Sequence, residues 1–198
     1  LCNLLENVRE QIKLDFHNSR TNKNFGSNDT DSQNIEEYSK AIIVYLSFGI
    51  SRLSDISNSF CNWSSSGTQV VHLFGRQAIP MVWDYAEANL FSDMAGDFRT
   101  SLNSILKVLK RLSPHGQGKL IQADAQTVKY PSGCVINTDP PYYDNIAYAD
   151  LSDFFYSIMK PILEDDFQDL FSTISTPKMD EITALDYRRG GKNEAHEY

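Results

Sequence analysis

The chain has 198 residues and carries 18 Lys and Arg against 26 Asp and Glu, a formal net charge of −8 at pH 7. With 41% hydrophobic and 22% charged residues it has the composition of a globular domain with room for a core, which excludes a disordered or fibrous protein. A sequence pI of about 4.9 rules out gripping nucleic acid by bulk charge, so any contact with DNA or RNA has to be local.

Cys2, Cys61 and Cys134 are far apart and odd in number. They form no CxxC pair, so neither a zinc ribbon nor a disulfide framework is implied, and a reducing, intracellular setting is expected. His17, His72, His115 and His196 show no ligand spacing, so no metal site is expected. No apolar run reaches the roughly 18 residues of a membrane span. The start Leu1-Cys2-Asn3-Leu4-Leu5 lacks the basic flank and apolar core of a signal peptide. A first residue other than Met, and a last stretch (Lys192 to Tyr198) that reads like a helix cut in mid-course, imply a piece of a longer protein, truncated at both ends.

In chain order, Leu4, Leu5, Val8 and Ile12 stand at helical spacing within residues 1–14. From about Asp15 to Asn34 the chain is almost wholly Asn, Ser, Thr, Asp, Gly and Lys, which predicts a mobile loop. Glu36 to Asn58 places Tyr38, Ile42, Ile43, Leu46, Ile50 and Leu53 on one helical face. A turn at 61–67 follows, then a helix over Val70 to Ala88 interrupted at Pro80. Asp97 to Leu112 is a further helix, with Phe98, Leu102, Ile105, Leu106 and Leu109 in one stripe and Lys110 and Arg111 in a last turn that suits them. Lys119 to Ala123, ending at Asp124, and Cys134 to Thr138 read as strands, and Tyr148 to Leu163 as a helix with Leu151, Phe154, Phe155, Ile158 and Met159 inward. Strand, loop, strand, loop, helix predicts an α/β sheet with functional loops at the strand carboxyl ends, behind a helical N-terminal part.

One tetrapeptide carries chemistry. In Asp139-Pro140-Pro141-Tyr142 two prolines fix two φ angles and remove two N–H donors. What remains is a stiff run of carbonyl acceptors beside a carboxylate, suited to a substrate that presents an amino group. Tyr142 adds a face on which a planar ring can stack. An exocyclic amine on a nucleobase meets both demands. Its lone pair is delocalised into the ring, and acceptors aimed at its N–H groups stabilise the positive charge that develops on methyl transfer. The base has to leave the helix stack, at about a few kcal/mol. A rigid turn after a strand is the alternative for the same four residues.

Asp139 to Tyr142 resembles the (D/N/S)PP(Y/F) motif of S-adenosylmethionine-dependent amino-methyltransferases. The longer string from Thr138 to Asn145, continuing through Tyr148-Ala149-Asp150-Leu151-Ser152-Asp153-Phe154-Phe155-Tyr156, is similar to a family of large prokaryotic adenine-specific DNA methylases with a DUF1156 domain and often a zinc ribbon. Phe74 to Glu87, and Thr176-Pro177-Lys178 with Glu181 after it, are similar to the same family, so the resemblance runs from about Glu37 to the end of the chain. It implies a partial Rossmann-like class I methyltransferase fold, S-adenosyl-L-methionine as cofactor, DNA with a flipped adenine as partner, and the cytoplasm of a prokaryote. Asp139 and the Pro140 carbonyl accept from the target amine in this reading, Pro141 holds the loop, and Tyr142 stacks on the base. Tyr143, Asp144 and Asn145 either line the target pocket or fix the loop, and Asn145 alternatively caps the next helix.

The family's glycine-rich cofactor loop, its acidic ribose contact and its zinc-ribbon cysteines have no counterpart in these 198 residues. The chain alone is therefore expected to be inactive. Asp124 matches the family's third-strand end near the cofactor adenine, and equally suits a loop-capping Asp. Arg76 and Gln77 sit in a segment read as a helix packed on the sheet, with a substrate-facing role as the alternative. Arg188-Arg189-Gly190-Gly191-Lys192 is either a phosphate contact or a solvated loop. The division expected is an upstream element and polar loop (1–34), a helical region (35–118) and part of a catalytic domain (119–198). Alternatives to the DNA methylase are an RNA methyltransferase acting on guanine N2 or adenine N6, and a non-catalytic binding or scaffold piece.

Overall fold

The computed structural model describes residues 2–21, 29–94, 96–112, 116 and 118–197. The regular elements are α1 (Cys2–Thr21), α2 (Asp29–Ser54), β1 (Trp63–Ser64), β2 (Gln69–Val70), α3 (Phe98–Arg111), α4 (Tyr148–Leu163), α5 (Asp186–Arg189) and α6 (Lys192–Glu197). No helix among the described residues is long and apolar enough to cross a membrane.

Helix α2 organises the packing because one of its faces is both apolar and narrow. Its buried line runs Ile35, Ser39, Ile43, Ser47, Ile50, in steps of three and four. The Ser39 and Ser47 hydroxyls donate to the carbonyls of Glu36 (2.9 Å) and Val44 (2.7 Å) in their own helix. Two small side chains thus admit close neighbours and leave no orphaned donor. Helices α1, α3 and α4 all pack on α2. Leu5 and Val8 of α1, Phe98 of α3, and Ile158, Met159, Ile162 and Leu163 of α4 surround Ile43 and Ile50. At Gly49 a Cβ would stand 3.1 Å from Leu102 Cδ2, so α3 lies where α2 has no side chain. Helix α3 is capped by Asp97, whose Oδ1 accepts from Thr100 N at 2.6 Å. Tyr38, expected inward, is exposed, because the buried face is centred one position further on, at Ser39.

Three expectations are corrected. The polar stretch 15–34 is largely helical where it is described: α1 continues to Thr21 and α2 begins at Asp29, while residues 22–28 lie outside the described residues. Gln11 bonding Asp15 at 2.8 Å and a half-buried Phe16 carry α1 onward. The helix expected over Val70 to Ala88 is not formed, for residues 71–88 carry none. After the antiparallel pairing Trp63↔Val70 and Ser64↔Gln69 they run as irregular chain. That chain is pinned by Val71 N to Asn62 O (2.9 Å), Leu73 N to Asp55 O (2.8 Å) and Ala86 N to Cys61 O (2.8 Å). Leu73 is buried and Phe74 packs on Phe154 and Phe155, anchors that a helix through Pro80 would not supply.

The third correction concerns fold class. The chain is mainly helical, and the two-stranded β1–β2 pair is the sheet found among the described residues, so the predicted α/β, Rossmann-like sheet is not formed. Residues 119–123 and 134–138 are irregular and unpaired, with Leu120 99% and Val135 96% exposed. An apolar run becomes a strand only when a neighbour takes its backbone donors and acceptors, and none among the described residues lies alongside.

One ion pair ties the first helix to the segment after the fourth. Both terminal guanidinium nitrogens of Arg9 donate to the Asp166 carboxylate, one at 3.2 Å to Oδ1, with both side chains largely buried. Lys40 adds a bond to the Asp166 carbonyl at 3.1 Å and sits over the Phe167 ring. The Arg9 hydrogen bond, against the opposing effect of burial, holds the Asp166 carboxyl below its ordinary range. This contribution is complete above the unfolded carboxyl value of about 3.9 and fades as pH falls through the lower folded value. Asp166→Asn is expected to lose about 2 kcal/mol at neutral pH. In urea melts, the gap to the wild type should narrow below about pH 4. A gap that stays constant with acid would remove the pair from the account of stability.

Candidate functional site

Helix α4 delivers the candidate loop. Residues 139–142 run as irregular chain into a turn, with Asn145 N donating to Tyr142 O (3.3 Å), and α4 begins at Tyr148. The half-buried Ile158, Met159 and Ile162 dock α4 on the α2 core, and Phe154 and Phe155 hold Phe74. The start of the helix is therefore set by the body of the protein.

Asp139, Pro140, Pro141 and Tyr142 come together with Tyr148 around an open recess of about 380 Å³. The Asp139 carboxylate has no partner among the described residues, and Tyr142 is 66% exposed. Acceptors beside two phenol rings are what a planar ring with an amino group needs. Tyr148 is a lining residue that motif reading missed. Its position nine residues after Asp139 only becomes meaningful once α4 is seen to start there.

The other predicted site residues separate from this recess. Tyr143 turns away: its carbonyl accepts from Ala184 N at 2.8 Å and its hydroxyl lies 3.1 Å from His196 Nδ1, their rings edge to face at 5.5 Å. Asn145 does not cap α4, whose N-cap position is Ala147 without a side-chain bond. Asp124 caps its own turn, with Oδ1 accepting from Gln126 N (2.9 Å) and Oδ2 from the Thr127 hydroxyl (3.2 Å). It does not line the recess at Asp139.

Two further arrangements were not legible as motifs. Arg76 lines a separate recess of about 530 Å³ with Phe60, Asn62 and His72. There His72 Nδ1 pairs with Asp55 Oδ2 at 2.5 Å, across 17 residues of sequence. The second arrangement surrounds the start of α4. Arg188 pairs with Glu181, and with Asp150 at 2.7 Å, and Tyr187 donates to Asp150 at 2.6 Å. Arg189 donates to the carbonyls of Met179 (3.1 Å) and Glu181 (2.8 Å). Burial pushes the Asp150 carboxyl up, but the Tyr187 and Arg188 hydrogen bonds outweigh it and the net displacement is downward. Asp153 behaves alike, with burial opposed by bonds from Lys178 and Thr176. These arginines are committed inside the protein, which leaves neither the phosphate contact nor the solvated loop as their description. The sequence hint was Thr176-Pro177-Lys178 with Glu181, of which Thr176, Lys178 and Glu181 belong to this cluster.

Compared with protein families, with curated proteins and with solved structures, the chain finds no match. No group of three or more His, Cys, Asp or Glu suited to a metal ion occurs among the described residues.

Asp124, which the resemblance places near the adenine of S-adenosylmethionine, accepts one bond on each oxygen within its own turn, and the Asp139 recess is an open surface built from one short stretch. Titrating S-adenosylmethionine into the chain in a calorimeter should give no submicromolar binding, and Asp124→Ala should leave the titration unchanged. Tight binding lost in that variant would reassign Asp124 to the cofactor.

Proposed function

We propose that the chain is a section of a nucleic-acid amino-methyltransferase and supplies its target-amine loop, with the N6 amine of adenine in DNA as substrate. The observation that carries the reading is the recess in which a free carboxylate, a donor-poor Pro-Pro backbone and two tyrosine rings converge. Asp139 and the Pro140 carbonyl accept from the two amine N–H groups. Removing N–H density raises the nucleophilicity of a lone pair that would otherwise stay delocalised in the ring, and the carboxylate favours the cationic nitrogen that forms. Tyr142 and Tyr148 hold the ring plane, offsetting part of the few kcal/mol spent in unstacking it. The transferred methyl is supplied by S-adenosylmethionine, and no residue described here is assigned to holding it.

A second reading, a non-catalytic binding piece, is favoured by residues 118–147, which carry apolar side chains and lack ladder partners among the described residues. Labelled methyl transfer by the full-length polypeptide, followed by digestion and base identification, separates the two. The expected product is N6-methyladenine in DNA, reduced at least about 100-fold in Asp139→Ala. Label in RNA instead would make the substrate an RNA amine, and label in neither would leave the binding piece.

A further inference from the structure

The aromatic walls of the recess, Tyr142 and Tyr148, come from opposite ends of a seven-residue stretch, and neither is tethered by its own hydroxyl among the described residues. Their immediate neighbours are. Tyr143, next to Tyr142, has its carbonyl bonded by Ala184 N at 2.8 Å. Ala149, next to Tyr148, donates its N–H to Glu181 Oε1 at 3.1 Å. Four consecutive residues, 181–184, therefore hold both ends of the stretch that bears the two rings.

Glu181 occupies a place the local sequence leaves vacant. The first turn of a helix carries N–H groups with no intrahelical partner, normally met by a Ser, Thr, Asp or Asn at the N-cap. Here that residue is Ala147. A carboxylate from 32 residues downstream takes the role, and a negative charge at that end also suits the helix dipole. Glu181 is itself held by Arg188, with side chains 12% and 7% exposed, and Arg188 reaches on to Asp150 in the first turn of α4. Its backbone is fixed by Arg189 at 2.8 Å. Thr176 completes the attachment, its hydroxyl donating to the Ala149 carbonyl at 2.6 Å and its N–H to Asp153 Oδ1 at 2.9 Å.

We propose that Glu181, locked by Arg188, is a positioning residue that sets the separation of Tyr142 and Tyr148 and so the fit of an amine-bearing base. The inference rests on the amine-recognition reading for its purpose, although the positioning itself is a property of the free protein. A loop–helix junction capped from within would keep its geometry whatever the C-terminal segment did. This one keeps it only while the 181–188 segment is docked.

The test uses the full chain labelled with 3-fluorotyrosine, with the Tyr142 and Tyr148 signals assigned from Tyr142→Phe and Tyr148→Phe. Glu181→Ala should shift or broaden both signals in the free protein. Glu181→Gln, which keeps an oxygen for the Ala149 N–H, should restore the Tyr148 signal. The probe is a single-stranded oligothymidine with one adenine, set against the same strand with unsubstituted purine at that place. The wild type should prefer the adenine strand, Glu181→Ala should bind it about tenfold more weakly, and Glu181→Gln should recover most of the loss. Signals and affinity unchanged in Glu181→Ala would overturn the positioning role. If Glu181→Ala does not melt cooperatively, Arg188→Lys is read by the same two signals and the same limits. No preference for adenine in the wild type would instead sink the amine reading, while the free-protein signals would still decide whether Glu181 sets the rings.

Discussion

The serine-lined face of α2 is the constraint on which the other elements depend. Ser39 and Ser47 are fully buried, yet each spends its hydroxyl on its own helix, so the face behaves as a shallow apolar groove between Ile35, Ile43 and Ile50. A groove of that depth receives helices, and α1, α3 and α4 take it from different sides. Larger residues at 39 or 47 would push the neighbours outward and separate Leu163 from Ile43. Seating α4 by its C-terminal half fixes where its N-terminal end points. The candidate loop inherits its place from that end.

The N-terminal end of α4 has its own supports, and they are polar where the other end is apolar. Lys178 pairs with Asp153 at 2.7 Å, Arg188 with Asp150 and Glu181, and Thr176 bonds Asp153. The carboxyls of Asp150 and Asp153 lie below their ordinary range because these bonds outweigh burial. Such a cluster is sensitive to the loss of any one member, since each removal leaves an opposite charge partly desolvated. The two ends of one helix are thus held by different physics. Apolar packing at the far end tolerates small changes in shape, whereas ion pairs at the loop end demand defined geometry.

How much of this was legible in the sequence depends on the range of the interaction involved. Helix α3 could be read almost in full, because its stripe and its basic last turn both lie within 14 residues. The same holds for α4 and for the placing of the Asp-Pro-Pro-Tyr stretch before it. The α/β expectation failed because apolar patterning at Leu120–Ile121 and Cys134–Ile136 states what a segment could bury, not whether a partner strand is at hand. Tyr143 and Asn145 could be placed beside the motif but not assigned, since what decides Tyr143 is the amide of Ala184, 41 positions away, and the side chain of His196. Glu181 as the cap of α4 has no period or spacing to betray it. The only trace was its place in a string of family-like residues.

The openness of the recess bears directly on what its carboxylate can do. Two unit charges 4 Å apart gain about 1 kcal/mol in bulk water and about 4 kcal/mol at the effective dielectric of a protein surface. With Tyr142 66% exposed, Asp139 sits nearer the first limit. A bare Asp139 would therefore discriminate weakly between an amine and any other donor. Discrimination has to come from the ligand closing the recess. In the proposed reading, a base seated between Tyr142 and Tyr148 would exclude water from the carboxylate it touches, and the hydrogen bonds to its amine would strengthen as it did so. On this account the rings come before the carboxylate in the order of events, and the separation of the rings controls how much the carboxylate is worth.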